Sequence, residues 1–85
     1  MGFGPGDEID HGASLAPYKQ LAAILTARTK RGDWQRDRAI PREQQLVQQY
    51  GIGRATIRRA SALLVEQGVL SVVPQRGTYV RRSDG

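Results

Sequence analysis

The sequence predicts a mainly α-helical fold, three helices closed by a small β-hairpin, on three observations. Apolar residues recur at helical spacing in three separate stretches between residues 17 and 67, and glycines (Gly32, Gly51, Gly68) follow those stretches. After Gly68 the pattern changes to two short β-branched runs on either side of Pro74-Gln75-Arg76-Gly77. With 85 residues, 39% of them apolar, there is material for one small core and no second one.

The first thirteen residues hold four of the ten glycines, one proline and three acids without apolar periodicity, so residues 1–14 are expected to be a flexible tail. The folded domain is expected over 15–82, followed by a short tail, 83–85. Ser14 and Pro17 suit a helix start, and Tyr18, Leu21 and Leu25, with Arg28 or Thr29, share one face until Gly32. That is helix one, Pro17 to Arg31. The following polar stretch is expected to be a loop anchored on the core by Trp34 and Ile40. Pro41 suits the first position of helix two, about Arg42 to Tyr50, in which Leu46, Val47 and Tyr50 are the apolar positions. Gly51-Ile52-Gly53 then makes a tight turn. Helix three, Arg54 to Gln67, places Ile57, Ala60, Leu64 and marginally Leu63 on one side, with Arg54, Ala55, Arg58, Arg59 and Ala62 on the other. Gly68 closes it as a left-handed cap, and Val69–Val73 and Thr78–Arg82 are the expected strands.

Thirteen Lys and Arg against eight Asp and Glu give a net charge of +5, and eleven of the cations are arginine. Asp7, Glu8 and Asp10 all lie in the tail, so residues 15–85 set thirteen cations against the remaining five acids, a net of +8. This balance points to phosphate before a small-molecule substrate. With no cysteine and one histidine, disulfides, thiolate sites and a zinc cluster are excluded, and no metal or cofactor is expected. There is no paired-carboxylate arrangement, no nucleophile with a partner histidine and no phosphate-cradling glycine loop before Lys-Ser or Lys-Thr, so no catalytic residue and no enzyme is expected. Glu43 reads as a favourable charge at the start of helix two. The N-terminus lacks the basic and apolar regions of a signal peptide and no apolar run reaches eighteen residues; a cytoplasmic, nucleoid-associated location away from membranes is expected.

Two helices joined by a short glycine turn, the second apolar on one side and arginine-lined on the other, form the arrangement a helix-turn-helix needs. A steeply held second helix projects its N-terminal side chains into a major groove. Arg54 and Arg58 are four apart and share the front of that helix beside Thr56. Arginine can donate two bonds to guanine O6 and N7, and threonine can reach a phosphate or a thymine methyl. The hairpin adds Arg76 beside Gly77, where backbone can approach a phosphate or enter a minor groove. Three helices and a basic hairpin make a winged helix-turn-helix.

From Tyr18 to Val80 the order Tyr-Lys-Gln-Leu, Gly32, Ile40-Pro41-Arg42-Glu43, Leu46, Gly51-Ile52-Gly53-Arg54-Ala55-Thr56-Ile57-Arg58, Leu63, Gly68 and Arg76-Gly77-Thr78-Tyr79-Val80 resembles the N-terminal winged-helix domain of GntR-type bacterial transcription regulators. The resemblance implies DNA contacts from Arg54, Thr56 and Arg58, with Ala55 on the same exposed face, and from Arg76 and Gly77 at the wing tip, residues 74–77. Gly53 stands where the family often has a capping serine, and Arg42 or Gln44 stands for an arginine usual at the start of helix two. Gln75 replaces a frequent wing glycine, and Ser61 a usual apolar residue. Arg59 is expected to meet a phosphate or solvent; Arg81 and Arg82 are expected to be tail charges.

The resemblance implies operator binding as a homodimer, usually by a repressor released by a metabolite. Family members typically continue into an effector-binding, dimerising C-terminal domain, and this chain stops at Gly85. It is therefore expected to be an excised operator-reading domain, monomeric in solution and pairing on palindromic double-stranded DNA or through the missing domain. The alternatives are a winged helix used to dock another protein and a nonspecific nucleic-acid binder.

Overall fold

In a computed structural model, residues 8–36 and 38–81 are described. The elements run α1 (Pro17–Arg31), α2 (Glu43–Tyr50), α3 (Arg54–Glu66), β1 (Leu70–Val73) and β2 (Gly77–Val80). Helix one has the expected bounds. Helix three stops one residue short of Gln67, β1 starts at Leu70 instead of Val69, and β2 starts at Gly77 instead of Thr78. β2 ends at Val80 and not at Arg82, with Arg81 already outside the strand; Arg82, the tail 83–85 and residues 1–7 lie outside the described residues.

Helix α1 has Pro17 in its first turn, where a missing N–H costs nothing, and its N-cap is Ala16, not Ser14. Ala16 makes no side-chain cap, and its carbonyl accepts from the amides of Lys19 and Gln20 at 3.0 Å each. Gln20 supplies what Ser14 does not. Only 1% exposed, it donates through Nε2 to the carbonyls of Asp10 (2.9 Å) and Leu15 (2.7 Å), and its Oε1 accepts from the Asp10 amide (2.8 Å). Asp10, within the stretch 1–14 expected as a tail, and Leu15 are thereby strapped to α1, and Ile9 packs against the core. Composition hid this because the attachment consists of one buried amide side chain and one packed isoleucine.

Leu21, Ile24 and Leu25 of α1 join Ile57, Ala60 and Leu64 of α3 in the core, and α3 packs on both α1 and α2. At its far end α3 closes as expected: Gly68 takes φ 80°, its amide donates to the Val65 carbonyl (3.1 Å), and the Val69 amide donates to Leu64 (2.8 Å). Leu46, Tyr50 and Ile52 bring α2 and its turn onto the same core. Pro41 is not the first helical residue but precedes the N-cap, Arg42, whose backbone lies in the extended region. The Gln45 side chain accepts from the Arg42 amide at 3.0 Å, half of a capping box.

The hairpin pairs β1 and β2 antiparallel with Leu70 opposite Val80, both buried. A third strand-like segment, read from sequence as loop, lies on the other side of β2. Ala39 bridges Tyr79, the Ile40 amide donates to Thr78 (2.8 Å) and the Val80 amide to Arg38 (2.9 Å). Two backbone bonds around buried Ile40 leave no alternation for a sequence to show. Ile40 anchors this stretch as expected, and Trp34, half-buried, packs against the core.

Trp34 is also covered by the Arg28 guanidinium, 4.5 Å from its ring centroid. Arg28 donates to the Tyr50 hydroxyl at 2.9 Å and to Asp33 at 2.8 Å, so the ends of α1 and α2 and the loop meet at one side chain. Hydrogen bonds from Arg31 and Arg28 hold the Asp33 carboxyl well below the usual carboxylate range.

Replacing Gln20 by leucine keeps volume and removes all three strap bonds. The expected cost is about 1–2 kcal/mol, with faster hydrogen exchange at the Asp10 amide. An unchanged Asp10 exchange rate would contradict the strap.

Candidate nucleic-acid interface

The turn between α2 and α3 decides where α3 points. Gly51 adopts φ 66°, with its amide bonded to the Val47 carbonyl at 2.9 Å, and any side chain there would be strained. Ile52 plugs the core, and Gly53 caps α3 with an extended backbone (φ −73°, ψ 162°) and no side-chain bond. A Cβ on Gly53 would meet no heavy atom within 4 Å, so the front of α3 is open to an incoming group.

Of the residues expected to form the interface, Arg42, Gln44, Gly53, Arg54, Ala55, Arg58 and Arg59 are exposed and Thr56 is half-buried. Arg54 opens α3 and Arg58 follows one turn later on the same face. The first turn of α3 contains no acid, so its unpaired amides and the positive end of its dipole face solvent beside these guanidinium groups. Arg59 sits over the Tyr18 ring of α1, 4.2 Å from the centroid. That contact fixes a cation that sequence left between phosphate and solvent.

Arg58 is held from α2: its Nε donates to Glu43 Oε2 at 3.0 Å, and its pKa is raised by that hydrogen bond and by the carboxylate's charge. Sequence reading gave Glu43 only a helix-start role. The two residues are fifteen apart across the turn, so no helical spacing could signal the pair.

The N-terminus of α2, the middle of α3 and the hairpin border one cleft of about 250 Å³, lined by Pro41, Glu43, Arg58, Ala62, Val72 and Thr78 among others. Helix α3 and the hairpin therefore stand as two walls of a single surface feature. The wing tip is a three-residue loop, 74–76, between the paired residues Val73 and Gly77, with the Arg76 amide bonded to Val73 at 3.0 Å. Gly77, expected within the turn, is the first residue of β2, and Arg76 is exposed at the tip. Gln75 takes φ 67°, the sole non-glycine with positive φ among the described residues. The residue that replaces a frequent wing glycine thus adopts the conformation glycine favours.

Among the described residues no group of His, Asp or Glu could hold a metal, and no helix is long and apolar enough to cross a membrane.

The sequence profile of the bacterial regulatory proteins, gntR family, matches residues 17–80. The chain belongs to that family. Among its relatives, the HTH-type transcriptional repressor NagR of Bacillus subtilis (strain 168) is 37% identical over 65 residues, which are 76% of this chain and 27% of NagR. The mannosyl-D-glycerate transport/metabolism system repressor MngR of Escherichia coli (strain K12) is 36% identical over 64 residues, 75% of this chain and 27% of MngR. The chain thus spans about a quarter of the length of these curated relatives. A crystal structure of the DNA-binding domain of AraR in complex with operator ORE1 superposes with a TM-score of 0.82 at 34% identity, covering 87% of this chain and 96% of that one. The family is one of bacterial regulatory proteins, both named relatives are repressors, and the winged helix-turn-helix architecture is shared with the solved AraR domain.

At the wing tip, Gln75→Val forces a β-branched residue into the left-handed region and is expected to lower stability by about 1–2 kcal/mol, while Gln75→Gly lowers it by nothing. Thermal melts of both variants check this. A valine variant as stable as the parent would contradict the tip conformation.

Proposed function

We propose that residues 15–82 form the operator-reading domain of a gntR-type transcription regulator, a repressor. It binds double-stranded DNA sequence-specifically in the cytoplasm, at the nucleoid, and has no catalytic role. The observation that carries this reading is the arginine-lined face of α3 opening onto a cleft whose other wall is the hairpin. A B-DNA major groove accepts one helix, and the strand between that groove and the next minor groove then runs where the cleft lies. The AraR domain, close in fold and 34% identical, was solved in complex with operator DNA, which supports duplex binding by this fold.

In this reading Arg54 and Arg58 address base edges, guanine by preference, and Thr56 and Ala55 lie against a phosphate or a thymine methyl. Gly53 lets backbone at the positive end of α3 approach a phosphate. Arg42 and Gln44, exposed on α2, take the flanking backbone, and Arg59, steadied by Tyr18, takes another phosphate. Arg76 and Gly77 meet the adjacent backbone or minor groove. A palindromic operator is read by two copies of the domain, paired on the DNA or through parts of the protein outside this chain, and each copy alone contributes weak half-site affinity.

Duplexes selected from a randomised pool and retitrated by fluorescence anisotropy at two salt concentrations test the proposal. A palindromic consensus is expected, with affinity falling steeply as salt rises. Arg54→Ala and Arg58→Ala are each expected to cost about 1–3 kcal/mol on the selected site and much less on random DNA, whereas Arg76→Ala weakens both alike. Equal losses on selected and random duplexes for Arg54→Ala would contradict base reading.

A further inference from the structure

We propose that Glu43 is a specificity-determining residue of the interface: it holds Arg58 by its Nε so that this arginine reads a base edge and is withheld from phosphates. The inference rests on the DNA-reading role above and concerns a residue that role does not itself require.

The contact that motivates it is the single bond from Arg58 Nε to Glu43 Oε2, 3.0 Å long, between side chains 69% and 34% exposed. A guanidinium carries five N–H groups, one on Nε and four on the two terminal nitrogens. With Nε committed to α2, the terminal edge remains, and its two outward N–H groups match the spacing of guanine O6 and N7. The carboxylate thus selects which edge of Arg58 faces the groove.

Charge makes the second half of the argument. A phosphate approaching Arg58 also approaches Glu43, and repulsion from the carboxylate offsets much of the attraction to the guanidinium. A base edge is uncharged overall and gains two in-plane bonds instead. Arg54 and Arg76 have no acidic partner among the described residues, so they keep their full attraction for phosphate. Of the α3 arginines, Arg58 alone is masked in this way.

A purely structural role for the pair is the competing account. Ion pairs this exposed contribute little to stability, and α2 and α3 already share the core through Leu46 and Ile57. A negative charge in the first turn of α2 is favourable without any arginine. Neither effect explains a bond aimed at the one arginine that projects beside Arg54 from the front of α3.

Glu43→Gln in the 85-residue chain is the test, since glutamine keeps an acceptor for Nε and loses the charge. Anisotropy titrations use the duplex selected by the parent chain and a random-sequence duplex of equal length, over a salt series, with Trp34 fluorescence melts showing that each variant is folded. The expected result has three parts. Affinity for random duplex rises, its slope of log K against log salt steepens by about 0.9, as for one added phosphate contact, and preference for the selected duplex falls by roughly tenfold. In an Arg58→Ala background the same substitution is expected to change neither affinity, because Glu43 acts through Arg58. A folded Glu43→Gln chain with the parental preference and salt slope would overturn the proposal while leaving DNA reading intact. A parent chain that selects no consensus would overturn both.

Discussion

Burial of Ile57, Ala60 and Leu64 beside Leu21, Ile24 and Leu25 is the constraint on which the rest of the molecule depends, because it fixes the rotation of α3 about its own axis. Each aliphatic side chain taken from water contributes about 1.5–3 kcal/mol, and a rotation of one residue would lose several of them together. With the apolar side committed inward, Arg54 and Arg58 have one direction left. The orientation of the proposed DNA face is thus a consequence of the core, and core substitutions at Ile57 or Leu64 would act on that orientation as well as on stability.

Around that fixed helix the remaining contacts set edges and angles. The αL glycine at position 51 and the plug of Ile52 hold α2 against α3, so that Glu43 lies within hydrogen-bond reach of Arg58. The Leu70–Val80 pair seats the hairpin on the same core, and the 38–40 segment braces β2 from behind. Arg28 ties the C-terminal ends of α1 and α2 to the following loop through Trp34, Tyr50 and Asp33. Arginines thus serve two ways: Arg28 and Arg31 bond internal partners, and Arg54 at the α3 N-terminus stands open to solvent.

Much of this was legible in the sequence because local signals carried it. Pro17 and Gly32 bracket α1, Gly68 closes α3, and the apolar side of α3 follows from 3.6-residue spacing alone. The candidate face was legible for the same reason, as Arg54 and Arg58 are one turn apart and off the apolar side that carries Ile57 and Leu64. What sequence did not reveal depends on side chains meeting across elements. Gln20 looks like an ordinary polar helix residue until Asp10 and Leu15 are brought beside it; Glu43 and Arg58 are neighbours only after the turn is made. The 38–40 strand has too few paired residues to alternate, and Pro41 suits the residue before a cap as well as the first helical position two places further in, so its identity does not separate the two. At Gln75 the missing glycine was noticed, but only the backbone reveals that the left-handed conformation is kept without it.

The central claim is that a single surface, the N-terminal half of α3 together with the hairpin tip, contacts DNA while the outer face of α1 does not. Amide chemical-shift mapping of the ¹⁵N-labelled chain during titration with its selected duplex tests it most directly. The account expects the largest changes at Gly53–Arg59 and at Gln75–Gly77, with Ala23, Ala27 and Lys30 on α1 unmoved. Changes centred on α1 or around Trp34, with the front of α3 undisturbed, would contradict it.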